Sequence, residues 1–367
     1  MSKEENRKNF SKYVSQNILG MIGFSCYVLA DSYFISIAKG ADGLTALNLV
    51  MPLYSIIFSI GEMIGVGSAI RYAISKIKKD ADADDYFWNA IIWCIMSSMI
   101  FVSSDIMRVL GADEHIVAVG NNYTKIFMCF APMFMCNYVT NAFVRNDGAP
   151  GIAMSATLFS SLFNIVFDYI LMFPMNLGME GAALATALSP IIGMGICSIH
   201  FFSKKSSVRL VVCKPSVRKL VAGSQLGVSA FVGEMSSAVI TLAFNFVILK
   251  LTGNVGVAAY GVVANIAIVT TAVFNGVAQG SQPLISSCFG RGDKDGCTQL
   301  KRMGYTTAFV LAAVMYSILF IFAEQFVAVF NSEGSEMLRL YATEGVKLYF
   351  IGIFFAGINI VGGGAFV

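Results

Sequence analysis

The sequence predicts an all-α polytopic membrane protein, and three observations carry that expectation. Of 367 residues, 56% are hydrophobic and 13% charged, with a mean hydropathy of +0.71. That is more apolar surface than a soluble core of this size could bury. The apolar residues fall in blocks of about 20 or more between short polar stretches, the length an α-helix needs to cross ~30 Å of hydrocarbon. The third observation is a one-sided distribution of positive charge along those blocks. Backbone groups in lipid must be paired internally, and the blocks lack the alternation of barrel strands, so helices are the workable solution.

Ten spans are expected, near 13–38, 45–75, 87–110, 122–144, 152–174, 181–203, 219–251, 256–288, 303–330 and 341–366. With the N-terminus inside, the inner ends and loops hold 19 of the 25 Lys and Arg, among them Lys3, Arg7, Lys8, Lys76, Lys78, Lys79, Lys204, Lys205, Arg218 and Arg291. Retention of Lys and Arg on the inner face therefore predicts a cytoplasmic N-terminus. The segment from Met1 to Lys12 is charged and polar, and the block after it lacks a small-residue cleavage site, so no removable signal peptide is expected. The basic loops give no reason to expect nucleic acid as a partner.

The eight cysteines form no CxxC and lie mostly within spans, as packing residues rather than disulfides or metal ligands. With only His115 and His200 present, histidine metal chemistry has no constellation to stand on. Neither a nucleophile–base pair nor a metal cluster stands near an interface, which argues against an enzyme.

The longest inner connection separates six spans from four. It predicts an N-terminal lobe over 1–205, a cytoplasmic linker over 206–218, and a C-terminal lobe over 219–367. A shift of 213 positions brings Gly40, Gly43, Ala46 and Gly67 onto Gly253, Gly256, Ala259 and Gly280. The second lobe thus reads as a parallel repeat of the first, a common plan for transporters with the substrate route between halves. A full repeat would make both lobes six-helical, so the expectation is 6+4 helices of a 6+6 plan, truncated after the tenth.

Acids inside the spans carry the chemistry, because a carboxylate at the bilayer centre costs about 2.5–3.5 kcal/mol even on the lenient insertion scale. Asp31, Glu62, Asp168 and Glu234 qualify. Counting ~1.5 Å per residue from the inner helix ends puts Asp31 and Asp168 about 20–25 Å up, in the outer half, and Thr186 at the same level. Asn164 and Asp168 are spaced i, i+4, as are Tyr27 and Asp31, so each pair shares a helix face. Two neighbouring carboxylates in low dielectric need a cation or a shared proton, which suits them to ion coupling. The alternative is that they tie helices together by hydrogen bonds. Glu234 is a candidate second-lobe cation or substrate contact or, equally, an interhelical hydrogen-bonding acid; Glu62 reads as structural. Gly61/Gly65 and Gly276/Gly280 are GxxxG pairs that favour close helix approach.

Three ordered signatures carry a family resemblance. The first is Ala30-Asp31-Ser32-Tyr33-Phe34 followed by Gly40-Ala41-Asp42-Gly43-Leu44-Thr45-Ala46. The second joins Arg145-Asn146-Asp147-Gly148-Ala149-Pro150, Asn164-Ile165-Val166-Phe167-Asp168 and Gly178-Met179-Glu180-Gly181-Ala182-Ala183-Leu184-Ala185-Thr186. The third contains Ala258-Ala259-Tyr260-Gly261 and Gly276-Val277-Ala278-Gln279-Gly280-Ser281-Gln282-Pro283-Leu284. In these the chain resembles the MATE (multidrug and toxic compound extrusion) exporters over essentially its whole length. The resemblance implies a two-lobe helical bundle in the plasma (inner) membrane of a prokaryote, an antiporter driven by Na⁺ or H⁺. It implies export of drugs or organic cations by alternating access, with no cofactor and no obligate protein partner. It also implies cation coupling by Asp31, Asp168, Asn164, Thr186 and Tyr27, with any Na⁺ held at Asp31 and Asp168. Asn141 matches a family polar position, although the rise count sets it near the inner end of its helix.

A lipid-linked precursor flippase of similar fold is the runner-up; it would line its cavity with several basic residues, and these spans hold few. A truncated, non-transporting gene product is the third reading. The chain departs from the family at Gln16, where many members carry a proline linked to bending of the first helix. Any bend there must come from Gly20 and Gly23 or from hydration.

Overall fold

A computed structural model describes residues 3–99, 114–330 and 335–365, without the side chains of 36, 39–53, 114–121, 242, 245, 249, 253, 254, 329 and 365. The helices are α1 (Lys3–Lys78), α2 (Asp85–Ser98), α3 (Glu114–Cys129), α4 (Ala131–Asn146), α5 (Pro150–Met172), α6 (Gly178–Phe201) and α7 (Val217–Gly290). They continue with α8 (Lys294–Ile321), α9 (Ala323–Phe330), α10 (Glu336–Tyr349) and α11 (Ile353–Ala365), the last two joined by a 3-10 turn at Phe350–Gly352. Among the described residues eight helices are long and apolar enough to cross a membrane, nine if α3 and α4 count as one bent span.

Each of α1 and α7 holds two spans, Lys3–Ile35 with Tyr54–Lys78 and Val217–Thr252 with Val255–Gly290. The contacts show that the chain doubles back within α1. Val14 lies against Gly280 while Ile77 lies against Gly290, so points that a straight helix would hold about 95 Å apart face positions on α7 separated by only about 15 Å. The α3–α4 span bends by 44° at Phe130. Pro132, in the first turn of α4, lacks the N–H that would continue the hydrogen-bond ladder there. The third expected span begins as α2, and its residues 100–110 lie outside the described part. The ninth begins earlier than expected, where Asp293 caps α8 by accepting from the Gly296 N–H at 2.8 Å.

Two buried cores result. One gathers residues from Ile35 to Val208, centred on Ile57, Phe127, Met135 and Phe143. The other runs from Ala259 to Val361 and takes in Phe10 and Val14 from the start of α1. The halves meet on glycines. A Cβ at Gly280 would stand 2.7 Å from Val14 Cα, and one at Gly67 would stand 2.7 Å from the Gly227 nitrogen. The 213-residue shift carries Gly67 onto Gly280 and Val14 onto Gly227, so these two contacts are one contact seen from either half. The seam is thus related to itself by a pseudo-twofold operation, as for parallel repeats about an axis along the membrane normal. Gly61 and Gly65 instead face Met135 and Tyr138 inside the first core.

At the end of the bundle that carries the N-terminus, Gln299 accepts from Asn6 at 3.3 Å and donates to the Lys3 carbonyl at 3.0 Å. Lys219 pairs with Asp82 at 2.9 Å and grips Asp85. The Lys219 hydrogen bond holds the Asp82 carboxyl below its usual range. A carboxyl so held stabilises the fold at neutral pH and loses that contribution as pH falls through its folded value, modestly here because Asp82 is 62% exposed. The connection after α6 is strapped to the first half. Asp147 accepts from His200 Nε2 at 2.7 Å, the Ser207 N–H at 2.9 Å and the Ser206 hydroxyl at 3.2 Å. Farther along, Asp84 accepts from the Arg209 N–H and Asn89 from the Ser216 N–H. Gly148, at φ +86°, and Pro150, at the first position of α5, make the turn that presents Asp147.

The seam leaves no room for a side chain. Gly280→Leu should lower stability by about 1–3 kcal/mol through overpacking, whereas Gly261→Ala, where an added Cβ meets nothing within 4 Å, should change it little. Thermal unfolding of the purified variants, followed by size-exclusion fluorescence, compares the two.

Candidate functional site

The first core has two buried acids near its far end, Asp31 at 7% exposure and Asp168 at 0%. Packing around them fixes their helices in register. Phe34, one turn beyond Asp31, lies with its ring 6.2 Å from Tyr169 and 6.1 Å from Phe173, and α1 packs along α5. The two carboxyls are close enough for the charge of one to act on the other. Asn164, one turn below Asp168 and fully buried, faces Thr186 on α6. With its nitrogen turned to the carboxylate, Asn164 donates to Asp168 Oδ2 at 3.1 Å and accepts from the Thr186 N–H at 3.2 Å and hydroxyl at 3.3 Å. Oδ1 of Asp31 and Oδ1 of Asp168 have no hydrogen-bond partner. Two buried acceptors left open in the same cluster are costly, and the arrangement invites a proton or a cation.

Tyr27 stands one turn below Asp31 and interacts electrostatically with both acids. So does Tyr123, whose hydroxyl meets that of Tyr54 at 2.7 Å. Tyr54 stacks on Phe127 at 3.6 Å between ring centroids, which closes this side of the cluster with aromatic surface. The five residues grouped from the sequence, Asp31, Asp168, Asn164, Thr186 and Tyr27, are together in the structure.

Asn141 is elsewhere. It faces Thr157 at 3.5 Å in a separate layer with Asn17, Arg145 and Gln279. Asn17 and Asp31 are about 21 Å apart along α1. Arg145, 6% exposed, donates from Nη1 to Asn17 Oδ1 at 3.2 Å and to Gln279 Oε1. Glu62 lies beside Arg145 and Gln279 and interacts with Glu234. Glu234 therefore belongs to the layer between the halves. Among the described residues no group of three or more His, Cys, Asp or Glu could hold a metal ion.

Comparison with known proteins extends this geometry. The family model MatE matches residues 17–170 and 230–367, which takes in both acids of the buried pair. The chain belongs to the MatE family. This MatE chain is 26% identical over 356 residues to the multidrug export protein MepA of Staphylococcus saprophyticus, covering 93% of the chain and 78% of the relative. It is 28% identical over 337 residues to MepA of Staphylococcus aureus, covering 89% and 72%. Its fold is similar to that of a multidrug resistance MATE family transporter of the MOP superfamily solved in an outward-facing conformation. The TM-score is 0.86 at 20% identity, over 98% of this chain and 84% of that one. The MATE-like helical bundle expected from the signatures is the fold that the MatE chain adopts.

Sequence reasoning left out Tyr54 and Tyr123, Asp147 with His200, and the Arg145–Gln279 contact. The last two had a visible signal, since Arg145, Asp147 and Gln279 all lie in the quoted signatures. The tyrosine pair had none, because its members are 69 residues apart on different helices. Tyr54→Phe should leave the Tyr123 hydroxyl buried without its partner and cost about 1–2 kcal/mol. Asn122→Ala removes an exposed hydrogen bond to Glu180 and should cost well under that, and thermal unfolding of both variants measures the difference.

Proposed function

We propose that this MatE chain is a Na⁺- or H⁺-coupled antiporter that exports amphipathic or cationic organic compounds, with the Asp31–Asp168 cluster as its coupling site. The observation that carries the reading is the pair of unpartnered Oδ1 atoms on two buried carboxylates. The oxygens left for a cation are those of the two carboxylates, since the Asn164 amide donates to Asp168 and its oxygen accepts from Thr186; hard carboxylate oxygen suits an alkali cation and equally a proton shared between acids. Export of drugs is taken from what the MepA relatives are named for.

The mechanism follows from charge balance. Without a bound cation two carboxylates repel in low dielectric; a proton or Na⁺ removes the repulsion and draws α1 and α5 together at Asp31 and Asp168. A cation bound from the far side thereby favours one packing of the first half over another, and the differential affinity drives the exchange of states. The two repeats, 1–205 and 219–367, move as lobes about the seam. The basic end, with Lys3, Lys76, Lys219 and Arg291, is the cytoplasmic one by the charge rule. The close contacts of Val14, Gly67, Gly227 and Gly280 lie toward that end, which supports reading the halves as closed toward the cytoplasm.

In proteoliposomes with an imposed Na⁺ or pH gradient, wild type should expel a fluorescent organic cation such as ethidium, and Asp31→Asn and Asp168→Asn should each lose at least ~90% of gradient-driven efflux, as expected for an acid required to carry the coupling charge. Both variants should keep the wild-type unfolding temperature within a few degrees. Full gradient-driven efflux by both would overturn the assignment.

A further inference from the structure

The contact at Gly67 and Gly280 is repeated on both sides of the seam, whereas its polar residues are not. Gln279, on the second span of α7, accepts a hydrogen bond from Arg145, on α4, across 134 residues of sequence. The repeat-related position of Gln279 is Val66, and that of Asn17, Arg145's other partner, is Ala230. The Gly67–Gly227 and Gly280–Val14 contacts are related by the pseudo-twofold although only one of them has a polar bridge beside it, so that close approach does not itself require the bridge. A buried guanidinium costs free energy unless it is compensated. Arg145 is 6% exposed, and its Nε has no hydrogen-bond partner. A cavity of about 10 Å³ adjoins it, lined by Asn17, Asn141, Thr157 and Gln279, which is room for about one water with several polar neighbours.

We propose that Arg145, Gln279 and Asn17 form a latch across the seam, with Arg145 a positioning residue that holds the N-terminal ends of the halves together and releases Gln279 when they part. The proposal rests on the alternating-access reading above. Its chemistry suits a contact that must break in every cycle. Gln279 is neutral, so water can replace the guanidinium at its amide oxygen when the halves separate, and no charge is stranded on the second half. The countercharge, Glu62, sits on α1 in the same half as Arg145 and travels with it. Glu62 also feels Glu234 from the opposite half. A cationic compound in the cleft beside these two acids competes with Arg145 for Glu62, which ties the strength of the latch to the presence of cargo.

The test is hydrogen–deuterium exchange on the full chain in nanodiscs, comparing wild type with Gln279→Leu, Arg145→Lys and Arg145→Met. Gln279→Leu keeps the arginine and its countercharge, so it remains informative if Arg145→Met fails to fold. The expected result is a rise of about tenfold to a hundredfold in exchange around Val14–Ile18 and Gly276–Gly280, the scale of one lost hydrogen bond to a charged group. Exchange in α3, which does not line the latch cavity, should be unaltered, and Arg145→Lys should fall between wild type and Gln279→Leu. Exchange at the seam equal to wild type in Gln279→Leu overturns the latch, and so does a rise of the same size in α3, which reports general loosening. This readout needs no transport, so loss of the antiport assignment through Asp31 and Asp168 would be seen separately.

Discussion

A carboxylate placed inside an apolar helical bundle has to be compensated, and the architecture of the first half follows from how that is done. Asp168 is held by Asn164, which is held by Thr186, so α5 and α6 are fixed at one depth by a single amide. Phe34 between Tyr169 and Phe173 sets α1 at the same depth. The Tyr54–Tyr123 hydroxyl contact closes the flank. What these contacts leave open is one oxygen on each acid. Buried atoms without a partner also occur at Asn137, Ser161 and Thr343, so the coupling reading depends on the two open oxygens belonging to neighbouring carboxylates whose charges act on each other.

The second organising element is the seam. Glycines at 67, 227, 276 and 280 let helix backbones touch, and lipid offers no hydrophobic drive for helices to associate, so such close packing supplies much of the attraction between halves. Contacts of this kind are non-directional and can slide or part without stranding polar groups. Arg145 with Gln279 adds a directional element on one side only. The strap from Ser206 to Ser216 is bonded to Asp147, Asp84 and Asn89 of the first half. The chain leading into α7 is thereby fixed to the first half.

The fold class was legible in the sequence because lipid imposes a length and a composition on every span, and both can be counted. The grouping of Asp31, Asp168, Asn164, Thr186 and Tyr27 was legible because helical rise converts residue number into depth and i, i+4 spacing into a shared face. Asn141 shows the same rule at work: the rise count set it near the inner end of its helix, where the structure has it with Arg145, and only the family match had grouped it with the acids. Glu62 reads as structural when taken singly, and only the fold shows it between Arg145 and Glu234. Arg145–Gln279 and Tyr54–Tyr123 were hidden because their partners lie on helices whose mutual rotation no one-dimensional pattern specifies. The bend at Phe130 was marked by Pro132, although proline in a first helical turn also occurs in straight helices.

Infrared difference spectroscopy on the purified protein, stepping pH or adding Na⁺, reads the protonation of buried carboxyls directly. A carboxyl band should appear on acidification or vanish on Na⁺ binding in wild type, and should be altered or lost in both Asp31→Asn and Asp168→Asn. A band unaffected by either substitution, or no band under either condition, would contradict the claim that these two acids share a cation.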